Sequence, residues 1–133
     1  EGVDTDRTRW HGVVRDVDRI REFYRGADVL VLPSYSEGMA TVLLEAMQAG
    51  TPCIATDVGA SREVVIDGRT GWLIQPGSIS VLTEAMRQAM ALKDEDYLRF
   101  SGECIAHLND NFSAAVVNRR LEELLREVIV NRN

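Results

Sequence analysis

The run DVLVLPS, residues 28–34, constrains the fold more than any other stretch of the chain. It is apolar from Val29 to Leu32 and is stopped by Pro33, the pattern of a strand buried on both faces. PCIATD at 52–57 has the same character, and WLI at 72–74 reads as a last strand. WHGVV at 10–14, a short apolar run ending in charge, reads as a first one. Strands that alternate with helices mean a parallel sheet built from βαβ units. The expected class is α/β, a doubly wound, Rossmann-like parallel sheet with helices on both faces.

The helices are marked by period and punctuation. DVDRIREFYRGA sets Val17, Ile20 and Tyr24 on one face. A helix after Glu37 ends at Gly50, with Pro52 beyond it as a stop signal. GASREVV reads as a short helix and DGRTG as a turn, and Ser78 caps a helix running to about Leu92. Further helices are expected over 94–108 and 114–130, the last with Val117, Leu121, Leu124, Leu125 and Val128 on a face expected to pack into the core. Trp10 and Trp72, beside strands, are expected in the core as well.

With 133 residues the chain suits a single domain with a modest core. Its net charge of −6 gives no reason to expect nucleic acid or an anionic membrane as a partner of this piece. Cys53 and Cys104 read as reduced thiols. The apolar runs fall far short of the roughly 20 residues of a membrane span. The opening EGVDTDRTRW reads as the interior of something longer.

Chemistry concentrates in SEGMATVLLEAMQAG, residues 36–50. Glu45 stands among Leu43, Leu44, Ala46 and Met47, and the positions three and four away hold Thr41, Val42, Gln48 and Ala49, so no local cation serves it. An unpaired buried charge is costly, so something must solvate this carboxylate. Glu37 stands just before the same helix, separated from Glu45 by roughly 12 Å along its axis at helical rise. That is too far for the two to share a proton, but it suits one extended ligand held at two places. A helix N-terminus receives phosphates, and carboxylates receive vicinal hydroxyls. A diphosphate carrying a sugar at each end fits, one sugar at Glu37 and a ribose at Glu45. Locally, Glu37 also reads as a first-turn charge favouring the helix dipole, and Glu45 as a side chain turned to water.

The stretch ADVLVLPSYSEGMATVLLEAMQAGTPCIATDVGASREVVIDGRTGWLIQPG resembles the C-terminal, donor-binding half of the GT-B glycosyltransferases of the large retaining "group 1" family, family 4. The family's hallmark is two glutamates with seven residues between them, and Glu37 and Glu45 match it. The resemblance spans residues 10–90 and includes the PS, EAM, G-P-I-A-T and DG-TG elements in order. It implies a nucleotide-diphosphate sugar as donor and a glycan, lipid or small molecule as acceptor. Transfer would retain configuration and need no cofactor or bound metal. By the resemblance Glu37 is the catalytic carboxylate, contacting hydroxyls of the transferred sugar, with backbone contacts from Gly38, Met39 and Ala40. Thr41 and Val42 would offer amides to the diphosphate, Glu45 would hold the ribose, and the backbone near Val13 and Val14 would line the base. Ala40 and Ala60 are mild departures from the family pattern.

The resemblance also implies that residues 1–133 are one partial nucleotide-sugar-binding domain. Two further βα units, with an Arg and a Lys that clamp the diphosphate, and an N-terminal acceptor domain would complete the enzyme. Arg7, Arg9 and Arg15 do not stand in that pattern. The fragment alone is expected to be inactive, and the whole enzyme cytoplasmic, with any contact to the inner face of a membrane made by the other domain. In the resembled fold the strand order is 3-2-1-4-5-6, so the edge of residues 29–32 would be left open. Residues 8–14 are expected to slide beside it. Pairing with a second copy, or a first segment held outside the sheet, are the alternatives. A nucleotide-sugar epimerase and a nucleotide-binding module without catalysis are the rival functions. DTD, DVD and DED are not read as a metal motif, which would need a strand leading into it: only DVD has one nearby, and it reads as a helix start; His11 and His107 have no clustered ligands.

Overall fold

A computed structural model describes residues 6–130, which leaves Asp4 of the DTD pair outside the described residues. The element order is α1 (Val17–Gly26), β1 (Leu30–Leu32), α2 (Thr41–Gln48), β2 (Cys53–Thr56), α3 (Ser61–Val64), β3 (Gly71–Ile74), α4 (Ile79–Met90), α5 (Asp94–Phe112) and α6 (Ala114–Val130). The strands form one parallel sheet in the order β1-β2-β3, with Leu30 opposite Cys53 and Cys53 opposite Gly71.

Strand alternation sends successive side chains to opposite faces. Cys53 and Ala55 pack with Leu43, Ala46 and Met47 of α2 and Val64 of α3. Ile54 joins Trp72, Ile74, Phe100 and Ala85 of α4 on the other side. Every residue of β2 is therefore buried, and helices cover both faces, as the continuous apolar runs require. The expected caps are present: Asp16 accepts from the amides of Asp18 and Arg19, and Ser78 from that of Val81.

The helix α5 braces the entry to β3. Cys104 Sγ donates to the Thr70 carbonyl at 3.2 Å, Arg69 pairs with Glu103 at 2.6 Å, and the Phe100 ring stacks on Trp72 with centroids 5.1 Å apart. Cys53 and Cys104 are buried free thiols. Burial pushes both upward, Cys104 to about 12, which keeps them protonated and unreactive.

Three expectations are corrected. Residues 8–14 form no strand and do not pair with β1, which stands at the edge of the sheet. Gly12 takes a φ of +62°, which breaks the extended run, and the His11 ring rests instead on Phe23 of α1 at 4.4 Å. Trp10, expected in the core, is 84% exposed, whereas Trp72 is buried as expected. The face of α6 carrying Val117, Leu121, Leu124, Leu125 and Val128 is 47–59% exposed rather than packed into the core. Both faces of the sheet are already covered by α2, α3, α4 and α5, and α6 instead lines a groove with Met39, Glu63 and Phe112.

Leu43 has no exposed surface at the centre of the α2–sheet contact. Leu43→Ala should cost about 2–5 kcal/mol, visible as a lower urea midpoint with an unchanged slope.

Candidate functional site

The carboxyl ends of β1 and β2 meet at a loop, residues 33–40, that carries Glu37 into the start of α2. Pro33 ends β1 because it cannot donate to a ladder. The Ser34 carbonyl then accepts from Thr56 Oγ1 at 2.5 Å, which ties the loop to the end of β2. Ser34 Oγ donates to Glu37 Oε1 at 2.6 Å, so the half-buried Glu37 carboxylate is oriented by a hydroxyl rather than by a cation.

A second tie comes from the turn after β2. The Ala60 amide donates to the Gly38 carbonyl at 2.9 Å. Gly59, at φ +53°, lies so close beneath the loop that a Cβ there would stand 2.0 Å from the Glu37 carbonyl oxygen and 2.6 Å from that of Gly38. Gly38 is the opposite case: a Cβ on it would meet nothing within 4 Å. The upper side of the loop is open space, and its lower side is filled by backbone.

Past Gly38, Met39 is half exposed and Ala40 is buried as the N-cap of α2. Ala40 supplies no side-chain cap, and no acidic residue stands in the first turn. The first-turn amides of Thr41 and Val42 have no intrahelical acceptor. An uncapped helix start next to an open glycine is suited to an anion.

Glu45 lies one turn further on, exposed on the outer face of α2. Water therefore solvates the carboxylate, as one of the two local readings had it, and the hydroxyl of Tyr24 of α1 also donates to Glu45 Oε2 at 2.9 Å. Burial, and then the adjacent Glu45 carboxylate, push the Tyr24 phenol up to about 12. Glu45 and Tyr24 line a cleft of about 410 Å³ with Arg21, Arg25, Gln48 and Ala49. On the other flank of the loop, Met39 borders a groove of about 390 Å³ with Glu63, Phe112 and Leu121.

The structure thus gathers residues 37–42 at one edge and sets Glu45 on the same helix. Val13 is exposed and Val14 half-buried, in a segment outside the sheet. Sequence reasoning missed Tyr24, Thr56 and Gly59 as supports. Tyr24 lies 21 positions from Glu45 with no local signal, but the GA turn after a buried strand could have marked Gly59. Among the described residues no group of three His, Cys, Asp or Glu side chains is placed to hold a metal ion.

The description "Glycosyl transferases group 1" matches residues 5–103. The D-inositol 3-phosphate glycosyltransferase of Nocardia farcinica is 38% identical over 91 residues, which cover 68% of this chain and 20% of that protein. Sucrose-phosphate synthase of Thermosynechococcus elongatus superposes with a TM-score of 0.71 at 28% identity, over 82% of this chain and 27% of that one. Anabaena HepE, solved in complex with UDP-glucose, superposes with a TM-score of 0.70 at 23% identity over 81% of this chain and 30% of that one, a likeness of fold. The match to the Nocardia protein spans about a fifth of that relative's length.

Gly59→Ala forces a side chain into a positive φ and against two carbonyl oxygens. It should destabilise the protein by about 1–3 kcal/mol from backbone strain alone. Gly38→Ala, with open space above it, should stay within about 0.5 kcal/mol of the parent. Equal melting losses for the two would show that the loop is not seated on Gly59.

Proposed function

The chain belongs to the group 1 glycosyltransferases, and from that premise we propose that it is the donor-binding part of a retaining enzyme of family 4. The enzyme would transfer a sugar from a nucleotide-diphosphate sugar to a glycan, lipid or small-molecule acceptor. One observation carries this reading: an uncapped helix start opens beside Gly38, with a hydroxyl-held carboxylate on either side of it.

The chemistry follows from those parts. The amides of Thr41 and Val42 receive the diphosphate, and Gly38, Met39 and Ala40 line the transferred sugar with backbone. Glu37 accepts from hydroxyls of that sugar. Ser34 occupies one of its oxygens and leaves the other for substrate. Positioned charge of this kind lowers the barrier by orientation and by stabilising positive charge that develops on the sugar ring. The departing diphosphate, stabilised at the helix start, helps the acceptor attack from the same face. Glu37 forms no covalent bond in this scheme. Glu45 takes the ribose hydroxyls.

On this reading residues 1–133 are one partial domain, and the acceptor is held by another part of the enzyme. The similarity to D-inositol 3-phosphate glycosyltransferases falls on the donor-binding stretch, so it bears on the donor rather than on the acceptor. UDP, present in a solved protein of the same fold, is the first nucleotide to test. Among the described residues no helix is long and apolar enough to cross a membrane. We place the enzyme in the cytoplasm, with any contact to the inner face of a membrane made outside this domain.

Glu45→Ala in the full protein should weaken nucleoside diphosphate binding by about 1.5–3 kcal/mol while the fold survives, because the side chain is exposed. Unchanged affinity by calorimetry would remove the ribose assignment. Glu37→Gln should lower kcat far more than it lowers affinity for the bare nucleotide. If it instead abolishes nucleotide binding and transfers normally at saturation, the roles of the two glutamates are exchanged.

A further inference from the structure

We propose that Tyr24 is a positioning residue for the nucleotide's ribose: from α1 it holds the Glu45 carboxylate in the geometry that receives the sugar hydroxyls. The proposal rests on the assignment of the ribose to Glu45 made above. Glu45 is a long side chain on an exposed helical face, and without a partner it would sample many rotamers, a freedom that ligand binding would have to remove. The Tyr24 hydroxyl, 2.9 Å from Oε2, is the one protein donor bonded to this carboxylate among the described residues. It occupies one lone pair of Oε2 and leaves Oε1 entirely to a ligand.

The donor is itself held. The Tyr24 ring packs against the buried cluster under α2, and its backbone carbonyl accepts from Thr51 Oγ1 at 2.6 Å, just past the end of the same helix. Tyr24 therefore joins α1 to α2 at two levels, the ring and the backbone, and its hydroxyl has little freedom to leave. The choice of a phenol matters. Arg21 and Arg25 line the same cleft, yet neither forms an ion pair with Glu45, and Arg21 pairs with Asp18 at 2.9 Å instead. A cation on Glu45 would neutralise the charge and take both oxygens in a fork. A neutral hydroxyl aims the carboxylate and leaves its charge to the ribose. A phenol is protonated throughout the neutral range, so the donor is always present.

The test compares UDP with 2′-deoxy-UDP, or the matching guanosine or adenosine pair where that pair binds tighter, by calorimetry on the full protein. Tyr24→Phe keeps the packed ring and removes only the hydroxyl. It should weaken binding of the ribonucleotide about 3–10-fold and weaken the 2′-deoxyribonucleotide, which keeps only its 3′-hydroxyl, by a clearly smaller factor. In turnover it should raise the donor KM and leave kcat almost intact. Equal weakening of both nucleotides would show that Tyr24 supports only the fold, and would overturn the proposal. Unchanged binding of both by Tyr24→Phe, with Glu45→Ala still losing the preference for ribose, would overturn it too and leave the ribose assignment standing. Loss of both nucleotides alike in Glu45→Ala would remove the assignment itself, and the proposal with it.

Discussion

The strand β2 is the constraint on which the rest depends. It is buried along its whole length and hydrogen-bonded on both sides, to β1 and to β3. A strand so enclosed must be apolar on both faces, and CIAT is nearly so, with Thr56 lending its hydroxyl to Ser34. The fit is tight enough that Gly71 admits no Cβ: one would stand 1.9 Å from the Cys53 carbonyl oxygen. From the carboxyl end of β2 come Thr56, Gly59 and Ala60, the groups that seat the Glu37 loop. The site is therefore built on the central strand, although its carboxylates come from the connection after β1.

Both carboxylates are held by neutral hydroxyls, Glu37 by Ser34 and Glu45 by Tyr24. In neither case is the charge cancelled, and both side chains keep contact with solvent. The stability cost of keeping them is thereby small, since a solvated carboxylate with one good donor is not an unpaired buried charge. The helix between them adds its own partial positive charge at Thr41, with no side chain to cap it. The result is alternating sign over a short distance: carboxylate, open amides, carboxylate. A ligand with hydroxyls at both ends and a diphosphate between them carries the complementary order.

Apolar surface is left over ahead of α1 and along α6, among other places. Val13 and Trp10 lie exposed ahead of α1, and α6 shows a stripe from Val117 to Val128. Each follows from geometry rather than composition. Two faces of a three-stranded sheet offer room for a limited number of helices, and α2, α3, α4 and α5 fill them. The further amphipathic helix α6 is left bordering a groove with Met39, Glu63 and Phe112.

Residues 28–34, 52–57 and 72–74 announced the parallel sheet through their continuous apolar runs, although β1, at the edge, is only half-buried where β2 is buried throughout. The same local reasoning marked the caps Asp16 and Ser78, and the two glutamates flanking a helix start. All of these depend on neighbours a few positions away, and such relations are written directly in the chain. What only the tertiary structure decided lies between distant segments. WHGVV looked like a strand, but a strand needs a partner edge, and Gly12 at φ +62° turned it away. The stripe on α6 looked like core, but a periodic face says only that a helix has a side to bury, not whether a surface remains to receive it. Tyr24 reached Glu45 across 21 positions, and Gly59 came within contact distance of Glu37, because packing α1 on α2 and β2 beside β1 brought them together. Local chemistry left Glu45 open to water or to a partner, and only the packed helices brought Tyr24 to it.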